Sequence, residues 1–286
     1  MVEVASATQT LGILNTSSHL PAKSEAIIKG KPVKAPRPIV QVPRSRVLTL
    51  VVKLSGDAVE ATDGTVAISY LQKFGQCVAE LAKVGRVAMT VGGGSRARVL
   101  INAALQLGER DVSATLLGGD VGLSNCRLVC AALSACGVDT GGAPVQDWGE
   151  ANQRLRQDKV PVLFGYWPGL TSDAVAAYFA DLIRADLVVK LSRIDAIYDA
   201  DPSNDSNAHP LRFVSHAQLD NWCVAHDERK AGSRFVVDLL AARRLVASGI
   251  PLWLVHLERL SDVLAAVRAD TWNCPQTGTL VASARE

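Results

Sequence analysis

The chain has 286 residues, of which 20% are charged, and its formal net charge is +2. A chain of this length can bury one large α/β core or two smaller ones. The small net charge gives no strong electrostatic field, which argues against a nucleic-acid polymer as partner.

Hydropathy and cysteine usage narrow the class of protein further. No uninterrupted apolar stretch has the length of a membrane span, which predicts a soluble protein without a membrane partner. The six cysteines form no CxxC pair and have no histidine partners at zinc-finger spacing. Such usage is typical of buried, reduced thiols in a cytoplasmic protein and predicts no protein-bound metal.

Residues 1–46 differ in composition from the rest of the chain. They contain seven lysines or arginines against two acidic residues, and four closely spaced prolines between positions 32 and 43 oppose regular secondary structure. We predict an extended or disordered arm over 1–46 and a single domain over 47–286. The arm could wrap a neighbouring subunit, and its composition is also compatible with an organellar transit peptide.

From position 47 onward, short apolar runs alternate with amphipathic segments. The apolar runs predict strands at 47–53, 86–91, 113–117, 161–165, 186–190 and 251–256. The amphipathic segments predict helices at 65–83, 95–107, 122–136, 171–184, 216–222, 232–248 and 260–268. Strands that are apolar throughout favour a mostly parallel sheet with helices on both faces.

Two glycine-containing loops each follow a predicted strand. Lys53-Leu54-Ser55-Gly56 closes the first strand, and Gly92-Gly93-Gly94-Ser95-Arg96-Ala97-Arg98 follows the second. Glycines let backbone N–H groups approach an anion, the start of the following helix carries partial positive charge, and Arg98 can bind a phosphate through two hydrogen bonds. The second loop therefore predicts a phosphate site, and a turn that only packs helix against strand is the alternative.

Lys53 at the strand end would place its ammonium group in the crevice where ligands of parallel sheets bind. The N–H groups of Ser55 and Gly56 could hold the same phosphates, although a lysine at a strand end is often only a solvated edge residue. Neither loop has the GxxxxGK[ST] spacing, and neither matches GxGxxG with an acidic residue about 20 positions later. A P-loop NTPase and a Rossmann dehydrogenase are both poorly supported.

Three motifs together resemble the amino acid kinase superfamily: KLSGDA at 53–58, GGGSRAR at 92–98 and DAIYDADP at 195–202. The resemblance runs from about residue 46 to residue 281 and is greatest to the uridylate kinase branch. GDVGL at 119–123 is similar to the segment whose aspartate binds the ribose of the acceptor. FGYWPGLT at 164–171, which leads into TSDAVA, is similar to the uridine-binding loop.

The resemblance implies a three-layer α/β/α sandwich with a mostly parallel central sheet. An acceptor-binding half would cover about 47–165, and an ATP-binding half about 166–286. The implied reaction moves the γ-phosphoryl group of ATP to UMP, giving UDP and ADP, with Mg²⁺ as a further cofactor, in cytoplasmic pyrimidine biosynthesis. The implied partners are small-molecule nucleotides, and the implied assembly is a homo-oligomer, a hexamer in this family, or a hetero-oligomer with a paralogue.

The residue types fit this chemistry. Phosphoryl transfer between two phosphates brings anions together, so catalysis consists mostly of positioning and charge neutralisation. Lys53 and Lys190, each at a strand end, are the candidates for neutralisation, and Asp173 between them would orient both lysines through ion pairs. No general base is needed, since the acceptor phosphate is itself an anionic nucleophile.

The resemblance also implies binding residues on each side of the reaction. The acceptor would be bound by Gly93, Gly94, Arg98, Asp120 and Thr171. The ATP side would use Ser55, Gly56, Ser192, Tyr198 and Asp201. Asp238 matches another acidic position of the family without an assigned role, and Mg²⁺ would be held chiefly by the ATP phosphates rather than by the protein.

Some positions depart from the family pattern and keep other functions open. Bulky Tyr166 and Trp167 stand in the uridine loop, and Ala196 replaces a common glycine, which matters only if the backbone there needs a positive φ. Molybdenum storage proteins have a similar fold and a comparable arm, so ATP-dependent storage of molybdate or tungstate is the main alternative, although histidines, which such clusters favour as ligands, are scarce here. A kinase for another small anionic acceptor and a nucleotide-binding regulator are further alternatives.

Overall fold

A computed structural model describes residues 47–283 except 166, 168, 201, 203–204, 226–235 and 270–275. The predicted arm and Asp201 therefore lie outside the described residues. The strands are β1 Leu48–Leu54, β2 Gly85–Val91, β3 Val162–Leu163, β4 Leu187–Ser192, β5 Ile197–Tyr198, β6 Pro210–Leu211, β7 Phe213–Ser215, β8 Leu252–His256 and β9 Thr279–Ala282. The α-helices are α1 Ile68–Ala82, α2 Gly94–Gln106, α3 Asp111–Ala135, α4 Trp148–Arg156, α5 Ser172–Leu182, α6 His216–Ala225, α7 Leu239–Ser248 and α8 Leu260–Arg268.

The main sheet has seven strands in the order β3-β2-β1-β4-β8-β9-β7. Strands β3, β2, β1, β4 and β8 run parallel to one another, and β9 runs antiparallel to β8. Each parallel strand is buried on both faces, which explains why its sequence is apolar throughout instead of alternating. The prediction of a mostly parallel sheet is confirmed.

Two apolar cores lie on opposite faces of this sheet. On one face, alternate residues of β1 such as Leu50 and Val52 pack with α1, α3 and α8. On the other face, Val51 packs with α4, α5, α6 and α7. Successive side chains of a strand point to opposite faces, so β1 contributes to both layers. The result is the predicted three-layer sandwich, and Lys53 and Lys190 share the face of Val51.

The predicted strand at 113–117 and the loop around Gly119 are wrong, because α3 runs without interruption from Asp111 to Ala135. Gly118 lets α3 approach α2 closely: a Cβ at this position would lie 2.8 Å from Cδ1 of Ile101. Tertiary packing against α2 thus overrides a local sequence that resembles a strand followed by a glycine turn.

Helix α3 is long and apolar enough to cross a membrane by length and composition alone. Such a helix is weak evidence for a membrane span, since core helices of soluble proteins meet the same criterion. Its Val129 and Leu133 are fully buried in the core on the α1 side of the sheet. We therefore treat α3 as a core helix.

Candidate functional site

Two lysines meet at the carboxyl ends of neighbouring strands. Strands β1 and β4 are parallel, and Lys53 pairs in register with Lys190. Equal register and the shared face send both side chains into one crevice, although their sequence separation is large. Both residues are buried, with 7% and 5% of their surfaces exposed.

Asp173, in the first turn of α5, lies between the two ammonium groups. Its Oδ1 is 3.0 Å from Lys53 Nζ, and its Oδ2 forms an ion pair with Lys190. Burial opposes the charge on Asp173, but Lys190 and Lys53 more than compensate and hold its pKa below the usual value. We call Lys53, Asp173 and Lys190 the charged cluster. The structure brings these three side chains together as the sequence predicted.

Lys190 has a second partner, the carbonyl oxygen of Val236, just before α7. Burial lowers the pKa of Lys190, and the neighbouring Lys53 adds to this effect, while Asp173 opposes it. The ammonium group thus depends on Asp173 to remain charged in a site that water scarcely reaches.

The two glycine loops lie directly against each other beside this cluster. A Cβ on Gly56 would fall 2.3 Å from the carbonyl oxygen of Gly92, so only glycine fits there. A Cβ on Gly92 would lie 3.0 Å from Ser172 Oγ and 3.7 Å from Lys53 Nζ. These close approaches bring the glycine backbone within reach of the anion that the lysines would bind.

The start of α2 forms the second part of the site, which we call the acceptor corner: residues 92–98 together with Asp57. Gly93 is the N-cap of α2 and offers no side chain to the first N–H groups. Asp57 caps them from the β1 loop instead, since its Oδ1 accepts from Ser95 N at 2.5 Å. Its Oδ2 lies 3.4 Å from Arg98 Nη2. The corner therefore carries N–H groups and a guanidinium suited to an anion.

Two residues predicted to bind the phosphoryl acceptor, Asp120 and Thr171, lie in surroundings that the sequence did not indicate. Asp120 lies in the middle of α3 and is exposed, not in a turn. Thr171 is the N-cap of α5, and its hydroxyl accepts from Ala174 N at 3.1 Å and donates to Asp238 Oδ2 at 2.5 Å. Both hydrogen-bonding capacities of Thr171 are thus occupied by the protein, and the roles of these two residues stay predictions.

Of the residues predicted for the ATP side, Ser55, Gly56 and Ser192 lie at the ends of β1 and β4, and Tyr198 lies in β5. The N–H group of Ser55 donates to Leu191 O at 2.9 Å, so the expectation that it holds a phosphate is wrong, because this bond continues the pairing of β1 with β4. Ser192 ends β4, and its hydroxyl accepts from Ile194 N at 3.3 Å. The Tyr198 hydroxyl donates to Asp195 at 3.0 Å.

Two further polar residues support the site although sequence reasoning assigned them no role. Asn125, buried in α3, donates to the carbonyl oxygen of Gly92 at 2.8 Å and so fixes the glycine loop. Arg193 donates to the carbonyl oxygens of Asp57 and Glu60 at 2.9 and 3.0 Å. A polar residue on the buried face of a helix was the available signal for Asn125.

Asp238 is not the solvated helix residue that its type suggests. It is buried and caps α7, accepting from Leu240 N at 2.9 Å and Ala241 N at 3.0 Å. Burial raises its pKa, and the nearby negative charge of Asp173 adds to the rise. Through Thr171, Asp238 connects the starts of α5 and α7.

The structure describes two of the positions at which the sequence departs from the family pattern, Ala196 and Trp167. Ala196 is not among the residues with positive φ, so its side chain causes no backbone strain. Trp167 is 46% exposed and packs edge-on against Trp148, with ring centroids 6.2 Å apart; Tyr166 lies outside the described residues. Within the described part of the chain, no group of three or more His, Cys, Asp or Glu side chains could hold a metal ion.

Taken together, the fold and the site define a class of protein: an α/β protein whose parallel strands deliver cations and glycine backbone to one anion-binding crevice. The model of the amino acid kinase family matches residues 49–256. The chain therefore belongs to the amino acid kinase family.

Individual relatives agree with this assignment. The chain is 39% identical to the uridylate kinase of Halorubrum lacusprofundi over 181 residues, 62% of this chain and 72% of the relative. It is 34% identical to that of Thermococcus kodakarensis over 198 residues, 67% of this chain and 86% of the relative. The crystal structure of uridylate kinase from Archaeoglobus fulgidus superposes with a TM-score of 0.64 and 27% identity, covering 82% of this chain and 99% of that one.

Proposed function

We propose that this protein transfers the γ-phosphoryl group of ATP to UMP. The convergence of Lys53 and Lys190 on either side of Asp173, next to the glycine loops, is the observation that carries the proposal. The similarity to uridylate kinases supports UMP as the acceptor. The storage alternative has no comparable support, since the relatives reported above are kinases.

In the proposed reaction, an oxygen of the UMP phosphate forms a bond to the γ-phosphorus, and the bond from that phosphorus to the bridging oxygen of ADP breaks. Negative charge spreads over the transferred group in the transition state. Lys53 and Lys190 would neutralise it from fixed positions, so little reorganisation is needed at the moment of transfer. ATP would enter with Mg²⁺ bound to its phosphates, since the described residues offer no cluster of ligands for a resident ion.

The acceptor corner would bind the UMP phosphate through Arg98 and the backbone of Gly93 and Gly94. Asp120 remains the proposed contact of the ribose, and Thr171 is proposed to close over the acceptor. On the ATP side we retain Ser55, Gly56, Ser192, Tyr198 and Asp201 as proposed contacts.

A coupled assay of ADP release tests this function. The purified full chain is supplied with ATP, Mg²⁺ and, in turn, UMP, CMP, acetylglutamate, aspartate or carbamate. We expect turnover with UMP well above that with the other acceptors. Turnover only with a different acceptor would assign that molecule as the substrate in place of UMP. No turnover with any acceptor, together with ATP-dependent uptake of molybdate or tungstate, would overturn the proposed kinase function.

We further propose that the protein is a cytoplasmic homo-oligomer of pyrimidine biosynthesis, with the hexamer as the assembly expected from the resemblance. Support comes from α2, α3 and the turn between them, where six large apolar side chains are exposed: Val99, Leu100, Leu107, Val112, Leu117 and Leu128. Exposed apolar side chains concentrated in one part of a molecule are typical of an interface. Light scattering coupled to size exclusion should give a multiple of 30.3 kDa, and a monomer at micromolar concentration would contradict it.

A further inference from the structure

Asp57 occupies two hydrogen-bond donors at the start of α2, the Ser95 amide and the Arg98 guanidinium, and Arg98 is the side chain proposed above to bind the acceptor phosphate. Its Oδ1 accepts from Ser95 N at 2.5 Å, and its Oδ2 faces Arg98 Nη2 at 3.4 Å. The side chain is only 17% exposed. A carboxylate in this position satisfies the same N–H group and guanidinium that a phosphate at the start of α2 would use.

The carboxylate is ionised at neutral pH. Burial works against its charge, but hydrogen bonds from Ser95 and the guanidinium of Arg98 hold the pKa of Asp57 below the usual value. An incoming phosphate therefore meets a negative charge on its own binding groups. Two anions on the same donors repel each other, so we expect phosphate binding to move the Asp57 carboxylate away from Ser95 and Arg98.

The backbone of Asp57 is held more firmly than its side chain, whose carboxylate has one further contact, the Ser55 hydroxyl at 3.4 Å from Oδ2. Arg193 holds the backbone through the carbonyl oxygens of Asp57 and Glu60, and the Ser55 hydroxyl caps the short 3-10 helix over Gly56–Ala58. On the other side, Gly94 packs so closely that a Cβ there would lie 2.6 Å from Asp57 N. Rotation about the side-chain bonds is thus the simplest way to release Ser95 and Arg98.

We infer that Asp57 is an internal competitor of the acceptor phosphate, which holds the Ser95 amide and the Arg98 guanidinium until a phosphate displaces it. This inference rests on the proposed function for the identity of the acceptor. A singly charged carboxylate ligand would only replace one carboxylate by another, whereas a phosphate dianion brings more charge and more acceptor oxygens. Asp57 therefore acts as a filter that favours phosphate over carboxylate acceptors.

Calorimetric titration with inorganic phosphate tests the competition without relying on turnover. We expect Asp57→Asn to lower the dissociation constant for phosphate by about tenfold, since the amide side chain keeps an oxygen for Ser95 but loses the charge. The matched control is Glu60→Gln, which removes the same charge three positions along the chain and should change the constant by less than about twofold. An unchanged or higher dissociation constant for Asp57→Asn would mean that Asp57 is only a helix cap and would overturn the inference.

Steady-state kinetics adds a measurement that would not change if Asp57 had only a structural role. In Asp57→Asn, the KM for UMP should fall by about tenfold while the KM for ATP changes much less. If no variant turns over UMP but phosphate still binds more tightly to Asp57→Asn, the proposed function fails and the competition stands. If UMP turns over normally and phosphate affinity does not rise, the competition fails and the proposed function stands.

The wild-type protein gives an answer even if Asp57→Asn does not fold. In crystals soaked with phosphate, we expect Ser95 N to donate to a phosphate oxygen and Asp57 Oδ1 to lie beyond about 3.5 Å from it. Asp57 still bound to Ser95 N at saturating phosphate, with or without an ion on Arg98, would overturn the inference.

Discussion

The charged cluster and the acceptor corner lie at the same edge of the sheet, yet different forces hold them in place. The cluster is buried, and the register of β1 with β4 sets the positions of both lysines. The acceptor corner is partly exposed, with 26% of the Arg98 side chain accessible, and polar contacts between a loop and two helices arrange it. Changes in the cluster should therefore affect stability and kcat together, whereas changes in the corner should affect mainly acceptor binding.

The largest effect is expected for Asp173→Asn. The variant leaves two buried ammonium groups without a counter-charge, which should lower the free energy of unfolding by about 3–5 kcal/mol and also reduce kcat. Urea unfolding followed by circular dichroism measures the change. Asp181→Asn in the same helix, whose partly exposed partner Arg244 is 3.0 Å away, is the control and should cost at most about 1 kcal/mol. Equal losses in the two variants would show that the cluster is no more than a surface ion pair.

Lys53→Ala comes next and separates catalysis from stability. We expect kcat to fall by at least about a hundredfold, as when one preorganised electrostatic donor is removed, with a smaller effect on ATP affinity. The coupled ADP-release assay measures both constants, and Lys83→Ala, an exposed lysine paired with Glu80 at 2.5 Å, serves as control. A near-normal kcat in Lys53→Ala would remove Lys53 from the reaction.

Arg98→Ala changes the acceptor corner instead of the charged cluster. Loss of a charge-assisted contact to the acceptor phosphate should raise the KM for UMP by about tenfold or more, with little change in the KM for ATP. Arg86→Ala changes an exposed arginine outside the corner, 3.4 Å from Asp158 Oδ1, and should leave both constants nearly unchanged. An unaltered KM for UMP in Arg98→Ala would place the monophosphate elsewhere.

The smallest effect concerns a buried histidine outside both regions. His216 Nε2 lies 3.0 Å from the carbonyl oxygen of Ile250 and must donate to it, while Nδ1 lies 3.1 Å from Ser283 Oγ. Burial lowers the pKa of His216, so on acidification the unfolded chain takes up a proton first. Its contribution to stability is complete above the unfolded pKa of about 6.5 and is lost as the pH falls through the lower folded pKa.

The difference in unfolding free energy between the wild type and His216→Gln should therefore shrink as the pH is lowered from about 7.5 to about 5. Urea unfolding at several pH values measures it, and Gln218→Ala, which changes a side chain of the same helix that does not titrate, should show no such trend. A difference that stays constant over this range would mean that His216 does not titrate as its burial requires.

The sequence allowed the charged cluster to be predicted because strand ends are local signals. Apolar runs that end in Lys53 and Lys190 place both residues at one edge of a parallel sheet, and Asp173 follows from the family resemblance of TSDAVA, at the start of the helix before β4. Helix α4 was not predicted, although its start has a local signal in the capping residues Asp147 and Glu150. In the structure, Asp147 Oδ1 accepts a hydrogen bond from Glu150 N at 2.7 Å.

The acceptor corner could be predicted only in part. Its glycines and Arg98 stand out in the sequence, but the contacts of Asp57 with Ser95 and of Asn125 with Gly92 join residues more than 30 positions apart. The Asn125 contact exists because α3 is a continuous helix, which the strand-like sequence at 113–117 does not indicate, and the Asp57 contact exists because the segments after β1 and β2 meet. In the acceptor corner, long-range packing rather than local propensity determined what was missed.

A crystal structure of the wild-type protein with UMP and a non-hydrolysable ATP analogue tests the role of the charged cluster most directly. We expect the ammonium groups of both Lys53 and Lys190 within about 3.5 Å of oxygens of the γ-phosphoryl group, with the UMP phosphate on Arg98. A γ-phosphoryl group bound elsewhere, with the two lysines in contact only with Asp173, would contradict the proposed mechanism.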